Sequence, residues 1–487
     1  MLDLQRRPGA FLYQQVVDLI TDNIESGTLR PGDRLPSLRR MSKSAGVSVP
    51  TVRQAYIELE RQRRVESRPQ SGFYVRHRAR NALVRPSPGT APDPGPLRCR
   101  SLMERVCDSV YDPDLVPLGI ANPTMARPAT AALNRAMKRV MSTGDDSMLD
   151  YATSLGHPGL RRQIAWHYFD TIGAQVDPES ICVTNGGQEA LLLAMKAVTR
   201  PGDIVAVESP TYHGILELAD TLGLLAIDVD TCPEEGVMTD RLAATLDRHD
   251  VRACVFSTTL NNPLGVSMPG EDRKRLVRTL AERDVALIED DVYGDLRFDG
   301  RRPTPAQFLD GDARVVTVGS FSKTVAPGYR VGWVISGGDR DEIHRLKRSF
   351  SISTAYLQQA TLADFMASGD YARHLKALRP VLKRNCERMS ALIAQHFPPD
   401  TRVSKPVGGA VLWLELPQSV RGERLFDEAM AGGISINPGP IYTPCGCYRN
   451  FIRLSYGHRW SNETEKAIEW LGRRVRDLAA RNGKKRA

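Results

Sequence analysis

A proline-rich stretch divides this chain of 487 residues into two parts. Residues 85–96 read Arg-Pro-Ser-Pro-Gly-Thr-Ala-Pro-Asp-Pro-Gly-Pro. Proline fixes φ and lacks the N–H that a helix or a sheet needs, so this stretch predicts an extended, semi-rigid linker. We therefore predict a multidomain chain with a head at residues 8–80, a linker at 81–101 and a body at 102–480.

Composition and cysteine usage narrow the class of protein. Apolar residues make up 41% of the chain and charged residues 25%, as in soluble globular proteins. Apolar runs have strand length, and the N-terminus is polar, so we predict no membrane span and no signal peptide. Eight cysteines occur without a Cys-x-x-Cys pair, and only Cys445 and Cys447 lie close in sequence. We predict a cytoplasmic protein without a metal site.

The net charge of +9 is concentrated in the head. Residues 1–80 hold 15 Lys and Arg against 8 Asp and Glu, whereas the remaining 407 residues hold 51 against 49. A basic head on a nearly neutral body is typical of a nucleic-acid-binding module attached to a domain that does not bind nucleic acid. A merely solvated basic surface would give the same count, so the motifs of the head decide between these interpretations.

The head has the pattern of a winged helix-turn-helix. Helical spacing over residues 11–26 is followed by Gly27, a stop signal. Ser37 and Ser48 are predicted N-caps of two short helices that a turn at Gly46 separates. Pro50 fits the first turn of the second of these helices. Residues 65–68 and 73–75 predict a hairpin, the wing.

These residues resemble the GntR-type winged helix-turn-helix family over residues 12–75. The most specific stretch is Arg-Pro-Gly-Asp-Arg-Leu-Pro-Ser at residues 30–37. Val49 departs from the arginine that the family usually has at the start of its recognition helix, so base preference is not transferable. The resemblance implies contacts with double-stranded operator DNA through Arg39, Ser48, Thr51, Arg53, Ser71 and Gly72.

In the body, strand-like apolar runs alternate with helical patterns. Runs at residues 181–183, 204–207, 253–256, 286–288 and 315–318 are separated by segments such as 189–198 and 272–283. This order predicts an α/β fold with a mostly parallel sheet and helices on both faces. Beyond Tyr371, a long helix and further strand-like segments predict a small C-terminal α+β subdomain.

A lysine that follows one of these strands is the candidate reactive residue of the body. Pyridoxal phosphate needs a lysine for a Schiff base and a cationic or N–H-rich nest for its phosphate. The segment Ser-Phe-Ser-Lys at residues 320–323 provides Lys323 for the Schiff base. Ser320, Ser322 and Arg330 would hold the phosphate through charge-assisted hydrogen bonds.

Other predicted cofactor residues also stand at the carboxyl ends of strands, where α/β sheets place ligands. The sequence Asn-Gly-Gly-Gln at 185–188 opens a helix whose backbone N–H groups would face the phosphate. The set consists of Gly186, Gly187, Gln188, Tyr212, Asn262, Asp290 and Tyr293.

The order and spacing of these motifs resemble those of fold-type I aminotransferases, over roughly residues 118–470. The resemblance implies that Asp290 pairs with the pyridinium nitrogen and that Tyr212 stacks on the ring, both as catalytic groups beside Lys323. Asn262 and Tyr293 would bond the phenolic oxygen.

Three further positions concern the effector and the assembly. By the same resemblance, Arg453 clamps the carboxylate of an amino acid through a bidentate pair. Tyr151 matches a tyrosine that reaches the phosphate of the partner subunit, which implies a homodimer. Ala121 stands where many relatives have glycine, a departure that reshapes the pocket near the substrate carboxylate.

The whole architecture resembles the MocR subfamily of GntR regulators, and within it the YdcR-like group through residues 289–296 and 434–440. The resemblance implies a domain-swapped homodimer that senses an amine or amino-acid effector as an aldimine and transmits the change to DNA. Two alternatives stay open: a working aminotransferase with a DNA-binding head, and a sensor of pyridoxal phosphate itself. The effector, the operator and the sign of regulation do not follow from the sequence.

Overall fold

In a computed structural model, the chain folds into two compact units that divide near Arg80. The structure describes residues 11–25, 28–29, 33–62, 64–68, 71–75, 93–109, 112–123, 127–143, 148–309 and 313–483. The predicted stop at Gly27, residues 30–32 of the family motif, Gln70 of the wing turn and residues 81–92 of the linker lie outside this range.

The N-terminal unit contains the predicted helices, namely α1 (Leu12–Glu25), α2 (Leu38–Ala45) and α3 (Val49–Arg61). Both predicted caps are present. The side chain of Ser37 accepts from the backbone N–H of Arg40, and that of Ser48 accepts from the N–H of Thr51, each at 3.3 Å. Gly46 ends α2 in the left-handed conformation that glycine tolerates best. The helix-turn-helix is therefore confirmed.

A hairpin completes this unit. Strands β1 (Val65–Arg68) and β2 (Gly72–Val75) pair antiparallel, with Val65 opposite Val75. The backbone N–H of Leu35 donates to the carbonyl oxygen of Phe73 at 2.8 Å, which attaches the hairpin to the segment before α2. The core consists of side chains from all three helices and the hairpin, including Val16, Ile20, Met41, Val52, Tyr56, Leu59, Val65 and Val75.

The second unit begins with elements that precede its large sheet and continues with alternating strands and helices. In the described part of the chain these are α4 (Arg100–Ser109), β3 (Val116–Pro117), α5 (Arg127–Ser142), α6 (Pro158–Ile172), β4 (Ile181–Thr184), α7 (Gly187–Val198), β5 (Ile204–Ser209), α8 (His213–Thr221), β6 (Leu225–Cys232), β7 (Gly236–Val237), α9 (Thr239–Arg248), β8 (Val251–Phe256), α10 (Gly270–Ala281), β9 (Ala286–Asp290), β10 (Val315–Ser320), β11 (Gly332–Ser336), α11 (Arg340–Ser351), α12 (Tyr356–Ala367) and α13 (Asp370–His396).

The described strands form a sheet in the order β4-β11-β10-β9-β8-β5-β6-β7. The central strands β10, β9, β8, β5 and β6 are parallel, and β11 runs antiparallel to both of its neighbours. Nearly every residue of these central strands is buried, as expected for a parallel sheet with both faces covered. The predicted α/β class is thus confirmed. Because parallel strands end at one edge of a sheet, the residues that follow β5, β9 and β10 come together there.

A smaller sheet follows α13. It consists, among the described residues, of β12 (Arg402–Val403), β13 (Val411–Glu415), β16 (Phe451–Ser455) and β15 (Asn437–Pro438), all antiparallel. Helices α14 (Gly422–Ala431) and α15 (Asn462–Gly483) complete this part, and β14 (Ile434–Ser435) pairs with β3. The predicted C-terminal α+β subdomain is therefore present. Cys445 and Cys447 form a disulfide, which the sequence analysis did not predict.

The last residues of the predicted linker belong to the second unit. Gly95 and Ala226 exchange two backbone hydrogen bonds of 3.1 Å in an antiparallel bridge beside β6. The N–H of Arg98 donates to the carbonyl oxygen of Pro444 at 3.2 Å, and α4 begins at Arg100. None of the described helices is both long and apolar enough to cross a membrane.

Candidate functional site

A cavity of about 720 Å³ lies at the carboxyl ends of the central strands. Most of the residues that the sequence analysis assigned to a cofactor line this cavity, although they come from distant parts of the chain. They are Gly187, Gln188, Tyr212, Asn262, Asp290, Tyr293, Ser320, Ser322, Lys323 and Arg330.

Lys323 stands in the turn that follows β10. Its Nζ donates to Oδ1 of Asn122 at 3.1 Å. Burial, aided by the positive charge of Arg453, lowers the pKa of Lys323 to about 8. A lysine with such a pKa has a much larger neutral fraction at physiological pH than an exposed one, and the neutral amine is the nucleophile.

Asp290 and Tyr293 place a carboxylate and a phenol on the same wall. Asp290 ends β9, and one of its carboxylate oxygens accepts from the N–H of Val292 at 3.2 Å. Burial raises the pKa of Asp290 to about 6, so the group is mostly ionised at pH 7. The hydroxyl of Tyr293 is buried and has no hydrogen-bond partner among the described residues. The wall therefore offers a ligand both a negative charge and an unused hydroxyl.

The start of α7 forms an anion cradle with the segment after β10. Gly186, at φ 83°, is the N-cap of this helix, so the free N–H groups of its first turn point into the cavity. Nη2 of Arg330 donates to the carbonyl oxygen of Asn185 at 3.1 Å, and Ser320 Oγ donates to Ser322 Oγ at 3.0 Å. A helix N-terminus, two hydroxyls and a guanidinium are the donor set that a phosphate requires.

Tyr212 precedes α8, and Gln188, in the first turn of α7, contacts the start of that helix. Tyr212 is the N-cap of α8, and a Cβ on Gly214 would stand 2.5 Å from its ring, so glycine is required there for this ring position. Nε2 of Gln188 donates to the carbonyl oxygen of Gly214 at 3.1 Å. The side chain of Gln188 thus supports the start of α8, and its backbone N–H belongs to the N-terminus of α7.

Arg453 lies next to the cavity without lining it. It is 2% exposed, and its Nη1 donates to Oδ1 of Asn262 at 3.4 Å, while Nη2 donates to the carbonyl oxygen of Gly119. The ion pairs found among the described residues include none to Arg453. A buried guanidinium without a carboxylate partner is poised for an anionic group that enters from the cavity.

Tyr151 is not brought to this cavity by its own chain. The residue is 82% exposed and stands between α5 and α6. Its predicted role in a partner subunit stays a prediction.

The predicted DNA contacts come from α2, from the N-cap and first turns of α3 and from the wing of the N-terminal unit. Arg39 and Arg53 are exposed on α2 and α3 and form no ion pair with described residues. Ser48 is exposed, and its hydroxyl lies 2.8 Å from that of Thr51, so both groups also serve the helix cap. In the wing, the hydroxyl of Ser71 lies 2.6 Å from that of Tyr74, and Gly72 adopts a φ of 104°.

Several cavity residues were missed from the sequence. Asn122, the partner of Lys323, stands next to Ala121, and that neighbourhood was the only signal in the chain. Cys107, His213 and Glu217 also line the cavity. His213 and Glu217 are four residues apart, and Cys107 comes from α4, more than a hundred residues earlier.

The two units of the chain match two different protein families. Residues 12–75 match the family of bacterial regulatory proteins called the gntR family, and residues 113–471 match aminotransferase class I and II. Two similar proteins from Escherichia coli K12 are named uncharacterized HTH-type transcriptional regulators. YjiR is 34% identical, and the match covers 95% of this chain and 98% of YjiR. YdcR is 33% identical, and the match covers 96% of this chain and 99% of YdcR.

Similar solved structures cover the second unit. The multiple substrate aminotransferase of Thermococcus profundus has a TM-score of 0.71 and 25% identity, over 79% of this chain and 96% of its own. LysN, the α-aminoadipate aminotransferase of Thermus thermophilus, has a TM-score of 0.70 and 26% identity, and the match covers 79% of this chain and 100% of LysN. That structure is a complex with N-(5'-phosphopyridoxyl)-L-leucine.

The two matched segments lie in one chain in the same order as in YjiR and YdcR, and nearly the whole length of those relatives is covered. The chain belongs to the MocR subfamily of gntR-type transcriptional regulators, in which a winged-helix DNA-binding head is joined to a fold-type I aminotransferase body.

Proposed function

We propose that this regulator binds pyridoxal 5'-phosphate in its body and senses a small amine or amino acid there. The observation that carries the proposal is the cavity itself: Lys323, with its lowered pKa, shares it with a buried carboxylate, an unpartnered phenol and an anion cradle. A perturbed lysine in such a setting is a candidate for covalent chemistry.

The residues of the cavity fit the cofactor group by group. The buried hydroxyl of Tyr293 has no partner among the described residues, and a buried polar group without one costs about 1–3 kcal/mol. The phenolic oxygen of the cofactor would satisfy it, together with the amide of Asn262. Asp290 would pair with the ring nitrogen, and Tyr212 would stack on the ring. The start of α7, Ser320, Ser322 and Arg330 would hold the phosphate.

When bound, pyridoxal phosphate supplies an aldehyde that reacts with amines and a ring that accepts electrons. Lys323 provides the amine that holds it. Asp290, mostly ionised at pH 7, would keep a proton on the ring nitrogen of the bound cofactor, because an adjacent negative charge favours the protonated cation. The side-chain oxygen of Asn122 accepts a hydrogen bond from Nζ of Lys323 and so orients the amine of Lys323.

The effector class follows from the neighbourhood of Arg453. A buried guanidinium bonded to an amide oxygen and a backbone carbonyl can exchange these neutral acceptors for a carboxylate, which forms stronger hydrogen bonds. An amino acid thus has two attachment points, its amine at the cofactor and its carboxylate at Arg453. A ligand shifts the regulator only if it binds the two states unequally.

The assembly and boundaries are part of the proposal. Tyr151 and other large apolar side chains are exposed on the second unit, among them Leu149, Trp166 and Phe169. A homodimer that covers them would let Tyr151 reach the partner's phosphate. We propose that this homodimer is domain-swapped, as the resemblance to the MocR subfamily implies. We retain a head at 8–80, a body that extends to about 480 and a cytoplasmic location. The predicted start of the body at 102 is corrected to about residue 95, because Gly95 and Arg98 already form hydrogen bonds with the body.

A working aminotransferase is the second candidate. Lys323 and Asp290 are both present, and Lys323 has the lowered pKa that a nucleophilic or proton-transferring lysine needs. A DNA-binding head serves no purpose in transamination alone, so regulation is the better supported function. Steady turnover of an amino donor with a 2-oxo acid, at ordinary enzyme rates of about 1–10³ per second, would make the aminotransferase the better supported function.

Absorption spectroscopy of the full chain tests the proposal. Titration with pyridoxal phosphate should produce the visible band of a lysine-bound cofactor in the wild type and in the exposed-lysine control Lys274→Ala, but not in Lys323→Ala. Amino acids and amines that change the band are then added to a DNA-binding assay on fragments selected in vitro by the chain. No band in the wild type would refute cofactor binding. DNA affinity that changes with cofactor alone would make the chain a sensor of pyridoxal phosphate.

A further inference from the structure

Three side chains on one wall of the cavity have no role in holding the cofactor. Cys107 comes from α4, and His213 and Glu217 come from α8, where a spacing of four residues places them on one face. Sγ of Cys107 lies 3.7 Å from Oε1 of Glu217, and Nδ1 of His213 lies 3.9 Å from Oε2. The three ligand atoms all lie within 4.8 Å of one another.

These distances are close to those of a zinc site. With Zn–S near 2.3 Å and Zn–N and Zn–O near 2.0–2.2 Å, the ligand atoms of a tetrahedron stand roughly 3.3–3.6 Å apart. The separations from the carboxylate, 3.7 Å from Oε1 to the thiol and 3.9 Å from Oε2 to the imidazole, exceed that range by a few tenths of an ångström. The largest separation among the three ligand atoms stays within 4.8 Å, so rotation of the side chains has to bring the atoms closer when an ion binds. Cysteine, histidine and glutamate together suit Zn²⁺ and disfavour Mg²⁺ and Ca²⁺, which prefer oxygen ligands.

The state of His213 is a second, independent observation. Its Nδ1 is buried and lacks a hydrogen-bond partner among the described residues. The ring is packed against the rings of Tyr212 and Tyr442, with centroid distances of 4.8 and 6.0 Å, so its orientation is fixed. A fixed imidazole with an unpartnered nitrogen 3.9 Å from a carboxylate oxygen is preorganised for a metal ion.

We propose that the chain binds one Zn²⁺ ion through Cys107, His213 and Glu217. No metal site was predicted from the sequence, because the three residues come from segments that only the fold brings together. All three line the cavity, so the fourth coordination position opens towards it, as in zinc sites that bind water or a substrate. The ion joins α4, which follows the linker directly, to α8, whose cap residue Tyr212 faces the cofactor position.

The other interpretation is a metal-free contact. The thiol would then donate a weak hydrogen bond to Glu217, and His213 would form a loose pair with the same carboxylate. Only metal binding distinguishes the two interpretations, and it does so without any assay of the cofactor or of DNA binding.

The experiment measures how many Zn²⁺ ions the full chain binds. The purified protein is incubated with Zn²⁺, passed through a desalting column and measured by atomic emission. We expect about one Zn²⁺ for each wild-type chain, and an affinity lowered at least tenfold in Cys107→Ser and in the isosteric Glu217→Gln. Even the loss of a group that only orients a metal ligand costs about 10–100-fold. Cys99→Ser and the double variant Cys445→Ser/Cys447→Ser are matched controls that should keep the ion.

Co²⁺ gives a direct readout of the thiolate bond. Its addition should produce a sulfur-to-cobalt charge-transfer band in the difference spectrum of the wild type and of the controls, and no such band in Cys107→Ser. Thermal unfolding shows whether each variant is folded, and Glu217→Gln, which keeps size and shape, serves if Cys107→Ser does not fold. Absence of bound Zn²⁺ in the wild type, or equal metal content in wild type, Cys107→Ser and Glu217→Gln, overturns the proposal.

Discussion

The guanidinium of Arg330 lies against the backbone of Gly186, so closely that a Cβ on Gly186 would stand 2.5 Å from Nη2. Gly186 also has a φ of 83°, a conformation that side chains disfavour. The residue is therefore glycine for two reasons, one in its own backbone and one in the position of Arg330. Both reasons concern the predicted phosphate cradle.

Gly186→Ala is expected to weaken pyridoxal phosphate binding by about 10–100-fold. The methyl group displaces Arg330, and a hydrogen bond to a charged group is worth about 1.5–3 kcal/mol. Gly173→Ala is the matched control, because Gly173 has a φ of 72° but open space around its Cβ position. That variant should lose about 1 kcal/mol of stability and keep its affinity. Equal losses of affinity in both variants would show that the contact with Arg330 is irrelevant.

The lowered pKa of Lys323 predicts how cofactor loading depends on pH. Only the neutral amine attacks an aldehyde, so the rate should rise with pH and level off above about 8, instead of near the ordinary lysine pKa of 10.5. Stopped-flow absorbance at a series of pH values measures this midpoint. Arg453→Gln should move it upward, since the Arg453 cation contributes to the shift. A wild-type midpoint near the ordinary lysine value would contradict the assignment.

Arg453→Gln should separate amino acids from simple amines. Loss of the guanidinium is expected to weaken the spectral response to amino acids by about 10–100-fold, whereas amines without a carboxylate should bind as before. Arg453→Lys keeps the charge but not the bidentate geometry, so it should recover only part of the response. Titrations followed by absorption give both affinities. An equal loss for both ligand classes would argue against a carboxylate clamp.

A buried ion pair behind the cradle predicts a stability effect. Nζ of Lys347 is fully buried and lies 2.9 Å from Oε2 of Glu189, in the first turn of α7. Lys347→Met should lower the free energy of unfolding by about 3–5 kcal/mol, because it leaves a buried carboxylate without its partner. Adding Glu189→Gln should restore part of this loss.

Chemical denaturation measures both variants. Lys274→Ala breaks the exposed pair with Glu271 and should cost less than about 1 kcal/mol. A Lys347 variant as stable as the wild type would mean that the pair contributes nothing.

In the head, Arg53→Ala should weaken DNA binding across all sequences and reduce the slope of log K against log salt by about 0.9, the contribution of one phosphate contact. Arg61→Ala is the control on the same helix, at its other end and already paired with Glu58. Fluorescence anisotropy over a range of salt concentrations tests both. An unchanged slope in Arg53→Ala would place this arginine away from the phosphates.

The features that could be predicted from the sequence were those that depend on a few neighbouring residues, such as helix ends and the periodicity of a helix. Ser37, Ser48 and Gly46 define helix ends by their own chemistry, and the buried positions of α3 follow a helical period. The spacing of apolar residues alone does not define the buried face of α1, where Leu12 is 40% exposed and Val17 is buried. How a helix is rotated against its neighbours depends on the whole core, which the spacing of one segment does not contain.

Contacts between distant segments were not predictable. Asn122 meets Lys323 across some two hundred residues. The disulfide of Cys445 and Cys447 is local, but it depends on how one loop is bent, which the spacing of the two cysteines does not determine. The prolines of the linker predicted an extended backbone, but not that Gly95 would pair with Ala226. That pairing needs a partner strand, and only the folded body provides one.

The pairing of Gly95 with Ala226 also protects the body from other chains. Among the described residues, β7 pairs with β6 at Thr231 and Cys232, so β7 leaves the backbone groups on the outer side of the beginning of β6 open to another partner. An open flank of this kind is a template for strand addition and aggregation. Two hydrogen bonds from the approaching segment occupy it, and the prolines around Gly95 cannot extend the ladder further. In the full chain, the segment around Gly95 therefore closes a side of the large sheet at which another strand could otherwise add.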